Sequence, residues 1–338
     1  MPNKQVLTEE QVAVVGIDLS QPRVTKVIAG AGTGKTFVLE RLAAANPNVR
    51  FIYLAFNKSV RKEAQGRFPK NVECHTINSL AFQQCGEKYG SGAGIANNVS
   101  FKAVRVHFKV SLAMAASIRG TLENFLNSAE AEVEKKHFFI HENASAFDPD
   151  TLISRVKELW GIMQKGESQF LRMTHSGVLK LFQLSLPKLA CGCVLCDESQ
   201  DINPAQMDII VRQISHGKSV VFVGDPLQQI YGWRGAVDAM SQVEGEELGL
   251  THSFRFGKRV AWLANRILGV YGLSKRPIVG AAPWRDEIWY NRIPRDPEPG
   301  ETRAVLARTN ITVFTETLRL VNEGDKVAFN GEIKPFMT

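Results

Sequence analysis

Residues 29–36 read AGAGTGKT, directly after the apolar run VTKVIA and directly before a helix-like stretch over 35–45. No other segment constrains the fold as strongly, because a glycine turn of this kind joins a buried strand to a helix and calls for an α/β sheet to carry it. Gly30, Gly32 and Gly34 let backbone N–H groups approach an anion, and the helix that follows aims its positive end at the same point. Ala31 and Thr33 complete the cradle. Lys35 is placed to reach the β- and γ-phosphates of a nucleotide, and Thr36 to bind Mg²⁺ through its hydroxyl. The general pattern has Gly at position 29, where this chain has Ala; the remainder, GTGKT, is intact.

A second segment completes that chemistry. The run CVLC leads into DESQD at 197–201. Carboxylates at the C-terminal end of a strand lie where ligands bind in open α/β sheets. Asp197 is expected to hold Mg²⁺ through water, and Glu198 to orient and deprotonate an attacking water. Together the two segments describe a nucleoside triphosphatase.

Hydrophobic patterning supplies the rest of the architecture. Thr8 and Gln11 have capping-box spacing, so a helix is predicted from there. Strands are predicted at 24–29, 50–56, 193–196 and 219–223, with helices at 35–45, 58–67 and from Pro204, which argues for a parallel sheet. Helical spacing at 103–116, 121–136, 151–165 and 176–184, with no convincing strand among them, predicts a helical insertion. A strand at 303–307, a helix at 311–323 and a further strand at 326–329 begin another unit. The expected organisation is a first core of residues 1–85 and 186–250, an insertion of 86–185, and the incomplete start of a second core at 251–338.

The net charge of +7 permits a polyanion partner, with basic clusters at 58–70 and 255–259. No apolar run reaches the roughly 18 residues of a membrane span, so no membrane partner is expected. The five cysteines are an odd number and fit a reducing compartment better than a disulfide framework. Cys191, Cys193 and Cys196 have a metal-like spacing, but side chains on a strand alternate faces, so they are read as small buried hydrophobes.

Seven segments read together carry a resemblance: VIAGAGTGKT, YLAFNKSVRKEA, ECHTINSLAF, VLCDESQDINPAQMDII, VFVGDPLQQIYGWRGAV, SFRFG and LARTN. In these and in their order the chain resembles superfamily 1 DNA helicases of the UvrD/Rep type, nearest to their F-box branch and its phage and bacterial relatives. The resemblance implies a P-loop NTPase with a RecA-like parallel sheet and a second RecA-like domain, of which only the beginning is expected here. It implies an ATP- and Mg²⁺-dependent 3′→5′ helicase or translocase on single-stranded DNA, of the kind used in repair and recombination. The expected location is cytoplasmic, nucleoid-associated in a bacterial or phage setting and nuclear in a eukaryotic one.

The resemblance also assigns roles. Gln11 recognises adenine. Lys35 and Glu198 act with Gln228, which senses the γ-phosphate, and with Arg255, which contacts it as an arginine finger. Asn57, Lys58, His75 and Thr76 lie along the single-strand track. Tyr231 and Trp233 stack on bases, with Arg234 steadying their loop or touching phosphate. Family segments that grip DNA and supply another arginine are not read in this chain. Two hypotheses follow: the motor part of a helicase, or a nucleotide-dependent DNA-binding module that relies on a second polypeptide for those segments.

Overall fold

The computed structural model describes residues 6–90, 94–142, 148–229, 239–273, 276–283, 286–288, 304–307 and 309–328. Its helices are α1 (Glu9–Val15), α2 (Lys35–Ala45), α3 (Lys58–Gln65), α4 (Ile77–Ala81), α5 (Phe101–Phe108), α6 (Leu112–Asn127), α7 (Pro149–Lys165), α8 (His175–Leu184), α9 (Pro204–Ser215), α10 (Ala239–Gln242), α11 (Lys258–Val270) and α12 (Asn310–Asn322). Its strands are β1 (Val24–Ala29), β2 (Phe51–Leu54), β3 (Val72–His75), β4 (Cys193–Cys196), β5 (Ser219–Gly224), β6 (Glu246–Leu250), β7 (His252–Ser253) and β8 (Val279–Gly280). They group into two compact units, Met1–Asp286 and Glu287–Thr338.

In the first unit, six strands form one sheet in the order β3-β2-β4-β5-β1-β6. Every pairing in it is parallel. The central strands β2, β4 and β5 are buried at every position, as a parallel sheet covered on both faces requires. On one face Phe51, Tyr53, Cys193, Leu195, Val221 and Val223 pack with Val38, Leu39 and Leu42 of α2. On the other, Ile52, Leu54, Val194, Cys196, Val220 and Phe222 join a core that runs on through Leu122, Phe125, Val156 and Phe182 of the insertion. The helical insertion therefore shares its core with the sheet. Cys193 faces one core while Cys191 and Cys196 face the other, and all three are buried free thiols. Burial pushes the Cys191 thiol up to about 11.

The sheet brings the turns after β1, β2, β4 and β5 to one edge. The short pair β7–β8 stands apart from the main sheet. In the second unit α12 is formed, and residues 304–307 and 326–328 make no strand. For the described residues 304–307 this corrects the strand expected at 303–307: among the described residues they have no ladder partner, and Leu306 is 93% exposed. No helix among the described residues is long and apolar enough to cross a membrane.

Within the insertion, α8 buries Lys180 completely. Its Nζ donates to the carbonyl of Ser128 at 3.0 Å and to that of Glu130, and lies 4.4 Å from the centre of the Phe125 ring. Burial pulls its pKa down to about 8, against the opposing pull of Glu130 and Asp208. The unfolded chain then holds a proton that the folded chain lacks, so this residue makes stability rise with pH from about 8 to 10.5. Lys180→Met is expected to flatten that rise, measured by denaturant unfolding at pH 8, 9 and 10. An unchanged slope would show that the ammonium is not desolvated.

Candidate nucleotide site

The loop after β1 enters α2 through two glycines with left-handed backbone, Gly32 (φ +74°) and Gly34 (φ +83°). Gly34 is the N-cap and offers no side-chain cap. Among the described residues, no backbone N–H from 31 to 37 donates a hydrogen bond. A row of unpaired donors at a helix N-terminus is an arrangement suited to receive an anion. The carbonyls of residues 30–33, in contrast, all accept hydrogen bonds. Ser253 Oγ donates to Ala31 at 2.7 Å, the Phe254 N–H to Gly32 at 2.8 Å, Gln11 Nε2 to Thr33 at 3.3 Å, and Thr33 Oγ1 to Gly30 at 2.9 Å. A Cβ on Gly32 would collide with the Arg255 side chain and Ser253 Oγ. Ala29 is accommodated because it is the last, fully buried residue of β1 and needs no positive φ.

The turn after β4 meets this loop directly. Thr36 Oγ1 donates to Asp197 Oδ2 at 3.1 Å, and Lys35 Nζ lies 3.2 Å from Glu198 Oε2. Asp197 is also held by the Tyr53 hydroxyl at 2.7 Å and by the Glu198 N–H at 2.9 Å. Burial raises its pKa; the Tyr53 bond and Lys35 oppose that, and the Glu198 charge adds to it. Glu198 itself adopts a left-handed backbone, φ +50°. A non-glycine residue there is strained by about 1 kcal/mol or more, and such strain concentrates at functional sites.

A polar chain links this turn to the end of β5. Gln200 Nε2 donates to Glu198 Oε2 at 2.8 Å, and its Oε1 accepts from the Asp225 N–H at 3.1 Å. Gln228 Nε2 donates to Asp225 Oδ2 at 2.6 Å. Gly224 is glycine because a Cβ there would strike Gln200 Oε1.

Sequence reasoning missed Tyr53, Gln200, Asp225 and Ser253. A tyrosine inside the apolar strand FIYL was a usable signal, since a buried phenol needs a partner. Gln200 stood inside DESQD without a role.

The other expected residues are more dispersed. Gln11 is 4% exposed; its Oε1 accepts from the Thr8 N–H, completing the capping box. Arg255 is exposed, two residues after Ser253. Asn57 caps α3 by accepting from the Val60 N–H at 2.9 Å, and Lys58 is exposed at the first helical position. Thr76 caps α4 by accepting from the Ser79 N–H at 3.1 Å. His75 ends β3 with Nε2 3.7 Å from Glu73 Oε2 and its buried Nδ1 without a partner. Asn57 and His75 thus follow or end adjacent strands on the loop's edge of the sheet. Thr76 and Asp197 line a cleft of about 1260 Å³ between this edge and the insertion, with Asn97, Asn124 and Asn203 on its walls. Tyr231, Trp233 and Arg234 lie outside the described residues.

Residues 11–234, which take in the glycine loop, the Asp197–Glu198 turn and the segment after β5, match the model of the family described as AAA domain. The chain is 34% identical over 335 residues to F-box DNA helicase 1 of Gallus gallus, covering 93% of this chain and 32% of that protein. It is 34% identical over 299 residues to F-box DNA helicase protein 1 of Schizosaccharomyces pombe, covering 80% and 34%. The chain belongs to the superfamily 1 helicases of the UvrD/Rep type. A probable DNA helicase II homolog of Mycoplasma pneumoniae is similar at 24% identity over 316 residues, 79% of this chain and 43% of that protein. The six-stranded parallel sheet of this superfamily 1 chain is a RecA-like P-loop NTPase core that binds nucleotide. The chain spans about a third of the length of the F-box helicases it matches.

Proposed function

We propose that the chain hydrolyses ATP and couples hydrolysis to movement along single-stranded DNA, as the motor part of a 3′→5′ DNA helicase. One observation carries the reading: Lys35 and Thr36, adjacent at the start of α2, are each bonded to a different carboxylate of the turn after β4. A phosphate handle and a cation handle are thus already paired with the acids they work with.

The donor set suits Mg²⁺, a hard cation that takes oxygen ligands. Thr36 and Asp197 would hold it, and its positive charge would supply electrostatic stabilisation of the phosphates. A cation beside the buried Asp197 would favour its charged form and offset the cost of its desolvation. Lys35 exchanges Glu198 for phosphate oxygens, and Glu198 is thereby released to accept a proton from water. Gln228, tied through Asp225 and Gln200 to Glu198, is the residue through which phosphate occupancy reaches the segment after β5. Arg255 supplies positive charge to the γ-phosphate. Gln11 keeps one N–H and one lone pair beyond its bonds to Thr33 and Thr8, the complement of the adenine N7 and N6 edge. Asn57, Lys58, His75 and Thr76 form the strand track on the same sheet edge, and Tyr231, Trp233 and Arg234 serve the same strand by base stacking and phosphate contact. The 3′→5′ polarity is proposed on the resemblance carried by the sequence motifs.

The test is steady-state ATP hydrolysis by the whole chain, with and without single-stranded DNA and across a salt series. Turnover is expected to rise strongly with single-stranded DNA, and the stimulation to weaken steeply with salt, as phosphate contacts require. DNA binding without any turnover would sink the motor reading in favour of a nucleotide-dependent binding module that works with a second polypeptide.

A further inference from the structure

Two adjacent residues of α1 hold different parts of the nucleotide site. Gln11 bonds to the carbonyl of Thr33 in the phosphate loop. Glu10 reaches the residue between β6 and β7: its Oε2 accepts from the Thr251 N–H at 2.8 Å, and its Oε1 from Thr251 Oγ1 at 2.7 Å. His252 Nδ1 lies 3.2 Å from the same carboxylate. Thr251 occupies the crossing between β6 and β7. The next residues are Ser253 and Phe254, which bond to Ala31 and Gly32 of the loop, and then Arg255. A closed ring results, running Gln11, Thr33, Gly32, Phe254, Ser253, Thr251, Glu10.

Glu10 is not needed to start α1. The capping box is complete between Thr8 and Gln11, and Glu9 also places acid in the first turn. Nor is its carboxylate simply solvated. Burial alone would raise its pKa, yet the Thr251 bonds and His252 hold it below the usual carboxylate range.

We propose that Glu10 is a positioning residue that ties adenine recognition at Gln11 to the placement of Arg255, so that the base governs turnover as well as affinity. This rests on the ATP-hydrolysing reading above. Seating adenine against Gln11 sets α1, and Glu10 carries that setting to the segment bearing Arg255. A pyrimidine nucleotide cannot seat α1 and leaves Arg255 less well placed.

The experiment compares kcat for ATP and for UTP, with single-stranded DNA present, in the wild-type chain, Glu10→Ala and Glu10→Gln. Binding of a fluorescent ATP analogue is measured in parallel. Glu10→Ala is expected to lower kcat for ATP about tenfold or more, the scale of losing hydrogen bonds to a charged group. Its kcat for UTP and its ATP affinity should stay within about twofold. Glu10→Gln can still accept from the Thr251 N–H while donating to its hydroxyl, and should restore most of the ATP rate. If Glu10→Ala does not fold, Thr251→Val, which keeps the backbone bond, should show a smaller fall in the same ATP-to-UTP ratio. An unchanged ratio in the folded variant, or a wild-type chain with equal kcat for both nucleotides, overturns the proposal. A wild-type chain that hydrolyses neither nucleotide overturns the function proposed above, and this inference with it.

Discussion

Lys35→Ala is expected to lower ATP hydrolysis by roughly a hundred- to a thousandfold, the scale of removing one preorganised donor from developing transition-state charge, and to leave the fold intact. The fold should survive because α2 is entered through the backbone of Gly34, with no contribution from the Lys35 side chain. The residues that bury α2 are Val38, Leu39, Leu42 and Ala43. Glu198 loses its ion pair but keeps its bond from Gln200 Nε2 at 2.8 Å, and its side chain is 38% exposed. It is therefore not left as a buried, unpaired charge, the situation that destabilises a fold. The measurement is single-turnover hydrolysis alongside a thermal melt. Hydrolysis at the wild-type rate would show that the glycine loop is not the reaction site. A large fall in melting temperature would show that the Lys35–Glu198 pair holds the fold.

The main sheet was legible where its strands are central and lost where they are edges. The sequences of β2, β4 and β5 are continuous apolar runs because both their faces are covered. β3 and β6, the outer strands of the order β3-β2-β4-β5-β1-β6, carry exposed Glu73, Glu246 and Glu247. They were not read as strands, since a strand with one neighbour and a wet flank has no apolar run to announce it. In the insertion the apolar period ran straight across a real break. Helices expected at 103–116 and 121–136 are in fact α5 and α6, separated by Lys109 in a left-handed conformation and by Ser111, whose hydroxyl caps α6. Residues after Asn127 look helical in composition. Lys180 and Gln183 instead take the carbonyls of Ser128, Ala129 and Glu130, a tertiary claim on the backbone that no local pattern encodes.

At the site, the residues with a fixed spacing were the readable ones: Lys35, Thr36, Asp197 and Glu198 meet as pairs. Their supports were not. Tyr53 reaches Asp197 because β2 lies beside β4 in the register Tyr53↔Leu195. Ser253 reaches Ala31 because the chain leaves β6 alongside the loop. Both contacts depend on strand order, which the sequence states only through connections far apart along the chain.

Asp197→Asn is the sharper test, because it should move stability and activity in opposite directions. The folded-state pKa of Asp197 is raised by burial. Its stabilising contribution is therefore full below the ordinary carboxylate value of 3.8 and is lost as pH rises through the folded value. Once ionised, Asp197 is a desolvated anion whose burial costs stability. An Asn there can still accept from the Glu198 N–H, and its amide can donate to the hydroxyls of Tyr53 and Thr36, which reverse their roles. The Tyr53 O–H can then turn to Thr36 Oγ1, with which it already interacts, and the part-exposed Thr36 O–H to solvent, so the variant should melt higher than the wild-type chain, by roughly 2–4 °C for each kcal/mol recovered. The same change removes the anionic oxygen proposed to help hold Mg²⁺, so hydrolysis should fall at least as far as in Lys35→Ala. MgATP should raise the wild-type melting temperature, by about 2.7 kcal/mol of added stability at a hundredfold excess over its dissociation constant. In Asp197→Asn that increment should shrink, while ATP with EDTA should affect both chains alike. A variant that melts lower at neutral pH would show that the carboxylate holds β2 and β4 together. A variant with the full Mg²⁺-dependent increment would take Asp197 out of the metal site.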